Sequence, residues 1–329
     1  MKKMMTAALL SSALLTQATF ASEKPRNKML DKMMYTINQE VKVKGPVFRD
    51  QSSKEERNQY GTDMVRLILK RAHLKAQKYL EVDDTQAYYA FMTLALTVPL
   101  QEGLYIQYRG VQADVCNVDA NSGELIKKAG ETTHANFVTY LMGGEKPFIV
   151  PCEKIDSKKE LTQIIRGYDG SDLSVMQVSV RWHFDDFLAN KKFEDTVQTL
   201  DYGINHLMNG FEPVYRNIGD YKCIGSGGLF KKKKVDYINL IRGIWAGKYN
   251  SGSIAKTCRF AELNSEYKHH DKGFEKNLNK VLDFNGVIGS GGDLDFKLAD
   301  DVSLAVKEVV ANLKDKTNNR TNLDKLIAE

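Results

Sequence analysis

The chain has 329 residues, a formal net charge of +5 and a hydrophobic fraction of 42%. After residue 21, no segment approaches the roughly 20 apolar residues that span a bilayer, so we expect no stable membrane insertion. The mild excess of positive charge suits contact with an acidic polymer but does not demand nucleic acid, and we expect no nucleic-acid partner.

The N-terminus has the pattern of a cleavable secretory signal. Lys2 and Lys3 precede a short apolar stretch, and Thr19-Phe20-Ala21 is close to the small-x-small cleavage pattern. The apolar stretch is interrupted by Ser, Thr and Gln, and it is too short for a membrane helix. We therefore predict cleavage after Ala21, which leaves a secreted or periplasmic protein of 308 residues with a charge of +3.

Residues 22–82 are predicted to form an N-terminal helical extension. A short amphipathic segment covers residues 29–41, and a long charged segment with periodic apolar positions covers residues 53–81.

A core helix follows. Asp84 offers an N-cap, and the helix is apolar nearly all round from Tyr88 to Leu100. A helix that is apolar on every face belongs at the centre of a domain. Pro99 should kink this helix or end it just before Glu102.

Further helices and loops are predicted downstream. Residues 103–160 are broken by Gly, Asn and Asp clusters, which indicates an insertion over the core. Helical spacing predicts amphipathic helices over residues 193–211 and 236–247, and one C-terminal helix over residues 296–328. Two Gly-Ser-Gly-Gly stretches should be flexible turns, and the charge run Lys231–Lys234 a solvated loop.

All four cysteines lie in the part that we expect to be exported. An even count in an oxidising compartment favours two disulfides. Sequence neighbours suggest Cys116–Cys152 and Cys223–Cys258, although four cysteines allow three pairings.

No metal and no cofactor are expected. The chain lacks Cys-x-x-Cys and His-x-x-x-His spacings. Residues 182–187 and 269–271 contain His and Asp without ligand spacing on one helix face, which favours solvated loops.

Short motifs occur in a fixed order along the chain. Gln101-Glu102-Gly103 ends the core helix, Ser174-Val175-Met176-Gln177 follows a polar turn, and Lys248-Tyr249-Asn250-Ser251-Gly252 ends an apolar helix. The amphipathic helix between the last two carries Gly203 and Leu207. This order resembles the soluble lytic transglycosylase and goose-type lysozyme family. That family has a helix ending in Glu-Ser, a Gly-Leu-Met-Gln turn, a helix with Gly and Leu, and an Ala-Tyr-Asn-Ala-Gly stretch.

The resemblance implies a mainly α fold. Residues 83–265 would form a lysozyme-like catalytic domain with the insertion at about 103–160, which the Cys116–Cys152 disulfide would bridge. Residues 22–82 and 266–329 would be helical extensions at its two ends.

The resemblance also implies an exported glycoside hydrolase that cleaves the β-1,4 glycan backbone of peptidoglycan. Glu102 would be its general acid, since apolar neighbours at the end of a buried helix raise the pKa of a carboxyl. A set of substrate-binding residues would line the sugar cleft, namely Gln177, Ser179, Tyr249 and Asn250, with the Tyr249 hydroxyl near the Glu102 carboxyl. An inverting hydrolase also needs a base, for which the polar turn offers Asp169 and Asp172.

The sequence leaves several alternatives open. Gly103 stands where the family has serine, and Glu102 can serve only if residues 103–160 loop out and return. Otherwise the acid would be another glutamate, namely Glu124, Glu131, Glu145 or Glu153. The product could be an anhydro-muropeptide, as with a lytic transglycosylase, or the protein could be a non-catalytic cell-wall-binding or inhibitory protein. The sequence does not indicate an oligomeric state.

Overall fold

A computed structural model describes residues 43–49, 52–112, 160–165, 172–228, 231–262 and 266–329. The predicted segment 29–41, Asp169, Cys116, Cys152 and the four alternative glutamates lie outside the described residues. The described part is mainly helical. Its α-helices are α1 (Lys54–Glu81), α2 (Thr85–Gly103), α3 (Val180–His183), α4 (Thr196–Arg216), α5 (Tyr237–Ile244), α6 (Lys268–Leu282), α7 (Asp300–Asp315) and α8 (Thr321–Ala328).

Short strands form four small sheets in the described part. The strands are β1 (Val47–Arg49), β2 (Tyr108–Gln112), β3 (Glu160–Ile164), β4 (Asp172–Leu173), β5 (Val178–Ser179), β6 (Gly225–Gly228), β7 (Lys231–Val235), β8 (Val287–Gly289) and β9 (Asp295–Lys297). In the first sheet β2 pairs parallel with β1 and antiparallel with β3, and the other three sheets are antiparallel hairpins.

The helix α2 is the core of the molecule, as its sequence predicts. Every residue from Ala87 to Leu100 is buried, and α2 packs against α1, α4, α5, α6 and α7. The Asp84 carboxylate accepts a hydrogen bond from the Ala87 backbone N–H, which confirms the predicted N-cap. Ser53 and Glu56 form a capping box at the start of α1, the long charged helix.

Pro99 does not end the core helix before Glu102, so that alternative is wrong. The helix runs through Pro99 to Gly103, and Leu104 then adopts a left-handed conformation with φ of +50°. The Tyr105 hydroxyl donates to the Leu96 carbonyl at 2.7 Å, which adds a hydrogen bond to the turn that the proline weakens. Glu102 therefore lies within the last helical turn.

The strands β2 and β3, which flank residues 113–159 in the sequence, pair with each other. Tyr108 pairs with Ile164 and Gln112 with Glu160, so the two ends of this segment lie side by side. The chain consequently returns beside the end of α2 before it enters β4.

Several loop predictions are wrong. Gly225–Gly228 and Lys231–Val235 pair as a hairpin, and a Cβ on Gly225 would lie 2.3 Å from the Lys234 carbonyl oxygen, so glycine permits this close pairing. Residues 182–187 are helical rather than a loop. The helical turns bury Phe187 in the core and leave Asp185 and Asp186 exposed. Residues 269–271 begin α6.

Two helix predictions also differ from the structure, one in its start and the other in the number of helices. The helix expected from Phe193 starts at Thr196, because the Asp195 carboxylate caps it by accepting from the Val197 and Gln198 backbone N–H groups. The single helix expected over residues 296–328 is two helices, α7 and α8. The turn between them is held by Asn312, whose side-chain oxygen accepts from Thr317 and Asn319.

The disulfide Cys223–Cys258 is present and confirms one predicted pair. It links the start of the β6–β7 hairpin to the turn after α5. None of the described helices is long and apolar enough to cross a membrane.

Candidate functional site

A pocket of about 530 Å³ opens where the end of α2, the β4–β5 hairpin, α3, α4 and the turn after α5 meet. Its lining includes every residue predicted for the catalytic and substrate-binding roles except Asp169, which lies outside the described residues. These lining residues are Glu102, Asp172, Gln177, Ser179, Tyr249 and Asn250.

The Glu102 carboxyl is partly buried at this pocket. Its Oε1 accepts a hydrogen bond from Trp245 Nε1 at 2.6 Å, so the proton of the neutral acid belongs on Oε2. The Trp245 ring is buried and stacks on Phe274 with centroids 4.5 Å apart and an interplanar angle of 7°. The tryptophan thus fixes the carboxyl in one orientation.

Burial raises the pKa of Glu102 to about 7, because the apolar surroundings disfavour the carboxylate. The Trp245 hydrogen bond lowers this pKa in part, and the nearby Asp172 charge raises it further. The position in the last turn of α2 acts in the same direction as burial, since the C-terminal end of a helix carries partial negative charge. Glu102 is therefore substantially protonated at neutral pH.

The β4–β5 hairpin brings the Met-Gln turn to the end of α2. Asp172 pairs with Ser179 and Leu173 with Val178, which leaves residues 174–177 as the turn. Ser174 and Gln177 both have positive φ, at +72° and +44°. Non-glycine residues in this conformation are strained and concentrate at functional sites.

Gly103 sets the distance between α2 and this turn. A Cβ at residue 103 would lie 2.6 Å from the Val175 carbonyl oxygen and 2.7 Å from its Cα. A serine at this position would collide with the Val175 backbone. Glycine at residue 103 therefore permits the close approach of the turn to α2.

Gly103→Ala should lower the free energy of unfolding by about 1–3 kcal/mol, because the backbone must shift to admit the methyl group. The matched control is Gly273→Ala in α6, where the nearest neighbour of a new Cβ is the Gln101 side chain at 3.8 Å. That control should be neutral or stabilising, since alanine favours helix over glycine. Urea unfolding of both variants measures the difference, and equal effects would contradict the close approach.

Gln107 is a buried link between the turn and two helices. Its Oε1 accepts from the Val175 backbone N–H at 3.1 Å, and its Nε2 donates to the Phe193 carbonyl and to Thr199 Oγ1, each at 3.0 Å. The Gln107 backbone N–H donates to the Tyr60 hydroxyl at 3.1 Å. These four bonds join the turn to α1 and to the start of α4.

Met176 packs in the core, as predicted. A Cβ on Gly203 would lie 2.5–2.9 Å from Met176 side-chain atoms, so this glycine makes room for the methionine on α4. The Met176 carbonyl accepts from the Tyr249 hydroxyl at 2.5 Å. The Tyr249 hydroxyl thus donates to the turn rather than to Glu102. Burial raises the pKa of Tyr249, and the nearby charges of Glu102 and Asp172 raise it further.

The predicted polar residues differ in what they contact. Gln177 donates from Nε2 to the Ser174 carbonyl at 2.6 Å, which fixes its side chain across the turn. Asn250 Oδ1 accepts from Arg259 Nη2 at 3.0 Å, which ties the helical segment that carries Tyr249 and Asn250 to Arg259. Arg259 is itself buried and paired with Asp271.

Some pocket residues had no predicted role. Trp182 is 83% exposed at the pocket, and His183, His206 and Lys248 also line it. His206 lies three residues after Gly203, on the same face of α4, which is the sequence signal that could have placed it in the pocket.

Two π-helical turns adjoin the pocket. The first, Phe184–Leu188, directly follows His183, and the second, Trp245–Tyr249, carries Trp245, Lys248 and Tyr249. The π-helix is rare and is frequent at functional sites. Periodic patterns of 3.6 residues do not reveal such turns.

Comparisons with known proteins yield no relative: no family model, no curated protein and no solved structure matches the chain. Among the described residues, no group of three or more His, Cys, Asp or Glu side chains is placed to hold a metal ion.

Proposed function

We propose that the protein is an exported glycoside hydrolase that cleaves the β-1,4 glycan backbone of peptidoglycan, with Glu102 as its general acid. The observation that carries the proposal is a glutamic acid in a pocket with its pKa raised to about 7. Glycosidic cleavage near neutral pH requires a carboxylic acid that still holds its proton and can give it to the leaving oxygen.

Asp172 is the proposed second carboxylate. It lines the same pocket, and its charge raises the pKa of Glu102. Glycosidases pair a protonated acid with a second carboxylate in a different environment, and Asp172 is the second aspartate or glutamate of the pocket lining. We assign Asp172 as the base that activates water, which favours hydrolysis over the formation of an anhydro sugar.

An exposed tryptophan supports a sugar substrate. Trp182 is 83% exposed and lines the pocket. An aromatic ring presents a large, rigid apolar face, and its indole N–H remains available as a donor. The apolar face of a pyranose ring can stack on such a surface.

The lysozyme-like fold is part of the same proposal. A buried helix ends in the acid, the Met-Gln turn packs on Gly103, and the helical segment that carries Tyr249 and Asn250 also lines the pocket. These are the motifs that resemble the family, and here they lie around one pocket. The choice of peptidoglycan and the exported location rest on that resemblance and on the N-terminal signal pattern.

Digestion of purified sacculi tests the proposal. The protein should lower their turbidity, and mass spectrometry should find reducing ends in the products, whereas a transglycosylase would give anhydro ends. Cosedimentation with sacculi at constant turbidity would instead indicate a non-catalytic wall-binding protein. If the protein neither binds nor digests sacculi, the proposal is refuted.

The rate of digestion should fall as pH rises through about 7. Since the acid form of Glu102 is the active one, about nine-tenths is available at pH 6 and about one-tenth at pH 8. The measurement is the initial turbidity rate at constant ionic strength from pH 5 to 9. A flat profile through pH 8 would contradict the assignment of Glu102.

A further inference from the structure

A cluster of basic side chains lies in the pocket beside the proposed acid. The histidine–lysine cluster consists of His183, His206 and Lys248. The two imidazole rings meet edge to face with centroids 4.9 Å apart, and all three residues line the pocket. The chemistry proposed for Glu102 and Asp172 does not use them.

Packing fixes this cluster in place. The stem of Lys248 crosses α4 at Gly210, where a Cβ would lie 2.5 Å from Lys248 Cγ. His206 donates to the Lys248 backbone, and His183 Nδ1 lies 2.8 Å from the Tyr202 hydroxyl. Hydrogen bonds that anchor one ring nitrogen orient an imidazole toward a ligand.

The cluster is electrostatically distinct from the acidic end of the pocket. Burial lowers the pKa of His206 to about 4, with further lowering by the charges of His183 and Lys248. The pKa of His183 is lowered by burial and by Lys248, and the charge of Asp186 partly opposes this shift. The groups that shift the pKa of Glu102 are instead Trp245 and Asp172. Tyr249 lies between the two ends of the pocket. Its ring centroid is 5.7 Å from that of His206, and the charges of Glu102 and Asp172 raise its pKa.

This arrangement suits an anion rather than a metal ion. The Lys248 ammonium would repel a cation at the imidazoles, and it has no ion-pair partner within the described part of the chain. The Lys248 ammonium offers N–H donors and one positive charge, and His183 donates from Nε2 when its Nδ1 accepts from the Tyr202 hydroxyl. His206 packs against the His183 ring and helps to hold it in place. A carboxylate accepts such hydrogen bonds, and the positive charge of the ammonium makes them stronger.

We infer that the histidine–lysine cluster binds a carboxylate carried by the glycan, so that the pocket selects anionic over neutral β-1,4-linked chains. This inference rests on the proposed function, because it places the cluster beside the same cleavage site. Peptidoglycan offers two sources of carboxylate, the lactyl group on the sugar and the stem peptide. Neutral chitin chains have the same linkage and carry neither.

Calorimetric titration in the Glu102→Gln background tests the inference without turnover. The probes are chitotetraose, the peptide-free tetrasaccharide of alternating N-acetylglucosamine and N-acetylmuramic acid, and the same tetrasaccharide with stem peptides. The anionic glycans should bind about tenfold more tightly than chitotetraose, and added Lys248→Met should remove that preference. The matched control is Lys256→Met, which removes an exposed lysine outside the pocket lining and should keep the preference.

Each outcome separates the two proposals. Preference for the peptide-free anionic glycan assigns the lactyl carboxylate, and preference only for the peptide-bearing one assigns the peptide carboxylates. Equal binding of neutral and anionic glycans, or a preference that survives Lys248→Met, overturns the inference but leaves glycan cleavage standing. No binding of any glycan overturns both.

Discussion

Glu102→Gln is expected to reduce glycan cleavage by roughly 10²- to 10⁴-fold, the usual contribution of a general acid. Glutamine keeps an oxygen that can accept from Trp245 Nε1, now 2.6 Å from Glu102, so the pocket should keep its shape. What the variant loses is the proton that Oε2 would give to the leaving oxygen. The loss should appear in kcat rather than in glycan affinity.

The same variant should be more stable than the parent at pH 8. The pKa of Glu102 is about 7 in the folded state, against an ordinary value of 4.5. Below pH 4.5 the group is protonated in both folded and unfolded chains, so it does not affect the equilibrium. As pH rises toward 7 the unfolded chain releases the proton first, and the parent loses up to about 3 kcal/mol of stability.

Urea unfolding at pH 4 and pH 8, beside turbidity assays, measures both effects. The control is Glu262→Gln, which changes an exposed carboxylate outside the pocket lining and should alter neither quantity. Parental activity in Glu102→Gln would refute the acid role. A stability difference that is the same at both pH values would refute the buried, protonated state of the carboxyl.

The local part of this site could be predicted from the sequence. The all-round apolar pattern of α2 places it in the core, and an acid at its end must then lie where the core meets solvent. The Asp84 cap is a short-range signal that the structure confirms, and the capping box of Ser53 and Glu56 is a second short-range feature of the structure. Each depends on residues within four positions of one another.

The long-range contacts could not be predicted in this way. Trp245 and Glu102 are 143 positions apart, and Gln107 and Val175 are 68 apart. Periodicity tells which face of a helix is buried but not which partner covers it. The Lys231–Val235 strand illustrates the opposite error, because a run of lysines resembles a loop although its backbone pairs with Gly225–Gly228.

Arg259 joins several parts of the site through one buried ion pair. Its Nη2 and Nε donate to the two Asp271 oxygens at 2.7 and 3.3 Å, and both side chains are only 4% exposed. The same Nη2 donates to Asn250 Oδ1, and the guanidinium lies 5.9 Å from the Trp245 ring centroid. Arg259 is thus a positioning residue for Asn250 at the pocket.

Arg259→Met should lower the free energy of unfolding by about 3–5 kcal/mol, because it leaves the Asp271 carboxylate buried without its partner. The control, Arg216→Met, removes an arginine whose side chain is 73% exposed and should cost less than about 1 kcal/mol. Urea unfolding compares the two variants. Similar small losses would show that the buried pair does not hold the fold.

The double variant Arg259→Met with Asp271→Leu separates stability from positioning. Replacing both members of a buried pair with apolar side chains is often neutral for stability, so most of the loss should be recovered. The bond to Asn250 is absent in both variants, so the cleavage rate should remain low although the fold is restored. Turbidity assays at a temperature where both proteins are folded measure this difference. A purely structural role needs only the buried volume, whereas a positioning role needs the guanidinium. Full recovery of both the cleavage rate and the stability would therefore mean that Arg259 has only a structural role.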